Sequence, residues 1–82
     1  MLDFQTRVKL EVDQENSTVQ IAFQPEFSQT TYDIFDLHGR TLKCGEIDSV
    51  ETSLKLSGFE NGQYIVLILD GNRVHSEKFQ LG

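Results

Sequence analysis

Large apolar residues recur at every second position through most of this chain, in short blocks separated by polar, glycine-bearing breaks. Alternation of period two marks half-buried strands, and no stretch carries the helical period of about 3.6 residues. Val8, Leu10 and Val12 alternate with Lys9 and Glu11, which predicts a first strand over about 7–13. The polar run Gln14-Glu15-Asn16-Ser17 turns the chain, and Val19, Ile21 and Phe23 make the inward face of a second strand. Pro25 cannot donate to a ladder, so pairing breaks at 24–26. Tyr32 and Ile34 mark a third strand over about 30–36, Leu42 and Cys44 a fourth over 40–47, and Leu54 and Leu56 a fifth. A sixth strand runs over 63–70 and a seventh over 74–80.

The breaks carry turn chemistry. Asp36-Leu37-His38-Gly39 places Asp first and Gly fourth, which suits a type I turn whose carboxylate caps nearby N–H groups. Asp70-Gly71-Asn72-Arg73 reads as a tight hairpin, and the loop 57–62 closes on a glycine. Asp36, Gly39, Gly62 and Gly71 are therefore the structural turn residues, and Gly39 and Gly62 are expected at positive φ or otherwise where a Cβ is forbidden. Seven short strands without a helix predict an all-β fold, an immunoglobulin-like antiparallel β-sandwich forming one domain over 1–82. Its expected core is Val8, Leu10, Val19, Ile21, Ile34, Leu42, Leu54, Leu56, Phe59, Tyr64, Val66, Ile68 and Phe79.

Composition narrows what such a domain can do. A chain of 82 residues buries roughly 60% of its unfolded surface, enough for one two-layer core with little room for an internal cavity. The net charge of −6 comes with dispersed basic residues, which disfavours nucleic acid and anionic membranes as partners. Cys44 is the single cysteine, so neither an internal disulfide nor a cysteine-based zinc site is available. No segment is long and apolar enough for a membrane span, and the charged N-terminal residues do not form a secretory leader, which leaves a cytoplasmic location open.

Candidate chemistry is sparse. The acid pairs Asp33/Asp36 and Asp48/Glu51 do not gather the oxygens a calcium loop needs and read as solvated faces and turn caps. His38 falls at a turn tip and His75 on the last strand, expected to face solvent; neither has a Ser or Cys nearby in a recognisable nucleophile setting. Cys44, alternating with Leu42, is expected to be a small buried apolar residue. Tyr64 is expected to fill the core with its hydroxyl on a backbone partner, as in a tyrosine corner. No catalytic residue, cofactor or metal site is expected. The sixth strand is apolar on both parities: Ile65, Leu67 and Leu69 face outward, with Phe35 and Leu37 on the outward parity of the third strand. These five residues are the interface candidates, for a protein partner or a homodimer, unless Phe4 or Phe27 folds over them.

The turn and strand residues also carry a resemblance. Tyr32-Asp33-Ile34-Phe35-Asp36-Leu37-His38-Gly39-Arg40-Thr41-Leu42, then Leu54-Lys55-Leu56-Ser57-Gly58-Phe59-Glu60-Asn61-Gly62-Gln63-Tyr64, then Ser76-Glu77-Lys78-Phe79 resemble the type IX secretion system C-terminal sorting domain (the Por secretion tail) of Bacteroidetes. The order and spacing are kept over about 30–80, while the Pro-Asn-Pro-like opening of that family is absent. The chain is similar as well to small secreted Bacteroidetes β-sandwich proteins of unknown function. The resemblance implies a non-enzymatic module, secreted or at the cell surface, whose last strand over 74–82 is read by export machinery. The alternative is a free-standing interaction domain that binds a partner or itself through a sheet face.

Overall fold

The computed structural model of the chain describes residues 8–82, so the expected strand start at Arg7 and any cover by Phe4 lie outside the described residues. Seven strands succeed one another: β1 (Lys9–Asp13), β2 (Thr18–Ala22), β3 (Thr30–Asp36), β4 (Thr41–Glu46), β5 (Glu51–Lys55), β6 (Gly62–Asp70) and β7 (Arg73–Leu81). They form two antiparallel sheets, one of three strands in the order β1-β2-β5 and one of four in the order β4-β3-β6-β7. This is an immunoglobulin-like sandwich in which the fourth strand pairs with the third rather than the fifth. Among the described residues no helix is long and apolar enough to cross a membrane.

Alternation builds the core as the pleat requires. Tyr32 and Ile34 of β3 and Tyr64, Val66 and Ile68 of β6 point inward beside Phe79 and Leu81 of β7. Val19 and Ile21 of β2 and Leu54 of β5 meet them from the other sheet. Val8, Phe23, Ile47 and Leu56, flanking the strand ends, are buried as well, while Leu10, Val12 and Phe59 pack against this cluster half-buried. At about 1.5–3 kcal/mol for each large side chain removed from water, these inward faces dominate the folding energy.

Two residues expected to be buried are not. Leu42 is 40% exposed and Cys44 is exposed. The cause is a bulge: Ile34 pairs with Lys43 but Phe35 pairs with Thr41, so Leu42 is an extra residue in the ladder. One inserted residue reverses the parity of the rest of the strand, which puts Lys43 opposite inward Ile34 and Cys44 opposite outward Asp33.

The two sheets have unlike margins. At one, β1 packs beside β7, and the Gln14 amide donates to the Gln80 carbonyl (3.1 Å) while its oxygen accepts from the Gly82 N–H (2.6 Å). At the other, among the described residues, β4 pairs only with β3 and β5 only with β2.

Candidate recognition site

The β3–β4 hairpin is closed by one carboxylate. Asp36 Oδ1 accepts the N–H groups of His38 (2.8 Å) and Arg40 (3.0 Å), and Oδ2 accepts Arg40 Nε at 2.7 Å. Gly39 donates to the Asp36 carbonyl and sits at φ +85°, a backbone conformation that residues with a Cβ rarely adopt. Burial pushes the Asp36 carboxyl up, but the hydrogen bonds from Arg40 and His38 outweigh it and hold it below the ordinary value. Opposite this hairpin, the Tyr64 hydroxyl donates to the Glu60 carbonyl four residues upstream, which is tyrosine-corner geometry. Gly62, beside it, has φ +156°.

A second carboxylate ties the opposite end of the sandwich. Asp70 has no exposed surface and accepts the N–H groups of Glu26 (2.9 Å) and Phe27 (3.1 Å) and the Thr30 hydroxyl (2.7 Å). The next residue, Gly71 (φ +61°), donates to the Gln29 carbonyl, and a Cβ there would stand 2.5 Å from the Phe27 ring. The Phe27 ring therefore lies against the β6–β7 turn.

On the outward face of β6, Ile65 stands beside Phe35, Leu67 beside Asp33, and Leu69 beside Thr31. Phe35, Ile65 and Leu67 are half-buried, and Leu69 is 37% exposed. Val74 of β7 is 63% exposed next to Leu69 and extends the same apolar strip; it is not among the five interface candidates named from the sequence. Leu37 lies elsewhere: β3 ends at Asp36, and Leu37 belongs to the turn.

Leu37 instead lines an open cleft of about 530 Å³ at the end of the sandwich. The hairpin contributes Leu37, His38, Arg40 and bulged Leu42 to its wall. Phe59, Asn61, Gln63 and Tyr64 face them from the β5–β6 loop and the start of β6. Two of the three segments that carry the resemblance in the sequence thus converge on one cleft.

Elsewhere the chemistry is thin. Among the described residues no group of three or more His, Cys, Asp or Glu could hold a metal ion. Glu51 accepts the Gln20 amide at 3.0 Å across the β2–β5 ladder. His75 does not face solvent as expected: it is half-buried opposite Ile68, its ring 5.0 Å from that of Phe23, and its Nε2 has no hydrogen-bond partner among the described residues.

Compared with known families, residues 15–81 match the family described as secretion system C-terminal sorting domain. The match starts in the β1–β2 turn and runs through both converging segments to the end of β7. A comparison with curated proteins finds no match.

Proposed function

Because the chain belongs to the secretion system C-terminal sorting domain family, we propose that it is a non-enzymatic sorting module read by export machinery through its terminal strand, β7. Family membership carries a secretion sorting role and implies a secreted or cell-surface protein. The observation that supports the finer reading is the extent of the match, which includes all of β7. β7 lies at the margin of the larger sheet, and its outward residues Val74, Ser76, Lys78 and Gln80 are exposed. The test is a reporter bearing an export leader and residues 1–82 at its C-terminus, expressed in a Bacteroidetes host. Export is expected, with strong reduction by Val74→Glu and Lys78→Glu, whose exposed positions spare the core. A fusion that stays inside the cell rejects the reading.

A second reading rests on the apolar strip Phe35, Ile65, Leu67, Leu69 and Val74, which would make a C₂ dimer by meeting its own copy. Sedimentation at high micromolar concentration then finds a dimer for the parent and a monomer for Leu67→Glu. A monomeric parent ends this reading.

A further inference from the structure

The cleft at the end of the sandwich is walled in part by exposed apolar side chains. The bulge leaves Leu42 40% exposed on its wall, and Leu37 is 58% exposed beside it. A bulge costs a ladder position and commonly re-aims a side chain next to a binding site. Among the described residues Arg40 spends only Nε on Asp36, its side chain is 73% exposed, and further guanidinium N–H donors remain for carbonyl oxygens. The cleft also adjoins β4, a strand that among the described residues is paired on one side only. Backbone N–H and C=O groups along a free strand edge are matched by another extended chain, while a neighbouring pocket takes its alternate side chains.

The geometry points to β4 and this cleft as a site for an extended segment of a protein partner, paired along β4 and seating one large apolar side chain against Leu37, Leu42 and Phe59. The partner's role in export rests on the sorting reading; the site's geometry does not. Of the two margins of the larger sheet, β4 is the one so offered, since β1 packs beside β7 and Gln14 bonds its last residues.

Two measurements test it. The first titrates the ¹⁵N-labelled protein with the blocked peptide Ac-Thr-Val-Phe-Thr-Lys-NH₂ and with its backbone N-methylated counterpart. Saturable shifts are expected at the amides of 42–46 and 59–63, at least tenfold weaker for the N-methylated peptide and for the Leu42→Glu protein. Absence of saturation at millimolar peptide, or shifts confined to β7, overturns the proposal. The second places Leu37→Glu and Leu42→Glu in the exported reporter fusion. A tenfold or greater loss of export with unchanged melting is expected, while Val50→Glu, exposed on a distant loop, exports normally. Normal export of the cleft variants removes the site from sorting. A parent fusion that is not exported rejects the sorting reading, while the titration still decides the cleft. A parent dimer that Leu42→Glu dissociates makes the occupant a second copy and also overturns the proposal.

Discussion

Asp70 shows how one buried side chain links separated parts of the chain. Burial alone would raise its carboxyl, yet the donors from Glu26, Thr30 and Phe27, with His75 nearby, hold it below the ordinary value. A carboxyl that binds its proton less readily in the folded state stabilises the fold above its unfolded value of about 3.9. That contribution fades as pH falls through this value and on through the lowered folded one. Asp36, lowered for similar reasons, acts in the same direction. Melting temperature is therefore expected to fall steeply below about pH 4, and Asp70→Asn to lower it at neutral pH while flattening the acid slope. An unchanged slope in Asp70→Asn would assign acid sensitivity to other groups. Tyr64→Phe is expected to cost about 1 kcal/mol through its lost hydroxyl bond, measured by denaturant unfolding. Gly39→Ala and Gly62→Ala, at φ +85° and +156°, are each expected to cost about 1 kcal/mol or more. Thermal melts equal to the parent would contradict that cost. The Asp36 cap is legible in the sequence because its donors lie two and four residues away. The Asp70 contacts are not, because their donors lie 40 to 44 residues away.

At the scale of elements, the strand pattern is legible because each strand buries one face and the pleat writes that burial as alternation. β3, expected over about 30–36, runs Thr30–Asp36, and β6 and β7 extend only a residue beyond their expected ends. The bulge in β4 is hidden because an inserted residue leaves no compositional mark when both parities hold mixed residues. A regular ladder is what makes Leu42 and Cys44 read as one inward face. The correction has a chemical test: Cys44, on the solvent side of β4, is expected to react with a thiol reagent in the native state about as fast as in denaturant. Strong native-state protection would restore the regular ladder. His75 departs from expectation for a different reason, since polar residues on a marginal strand are usually wet, but Phe23 closes over this one.

At the scale of the molecule, seven alternating blocks and their turns make the sandwich readable, whereas the cleft is hidden because its walls come from segments about 20 residues apart. The sheet order has a further consequence, for the time the chain takes to fold. Three ladders, β1–β2, β3–β4 and β6–β7, join neighbours through short connections and can close early. The other two cannot: β2 must wait for β5, and β3 for β6, which it meets with Thr30 against Asp70. Non-local pairings of this kind put small all-β domains in the millisecond-to-second range, far slower than helical bundles of equal size. Stopped-flow refolding followed by tyrosine fluorescence is expected to fall there, and a microsecond phase carrying the full amplitude would contradict it. A tail that closes this slowly spends a long interval as open hairpins, so the surface that a partner first meets can be a strand rather than a finished sheet.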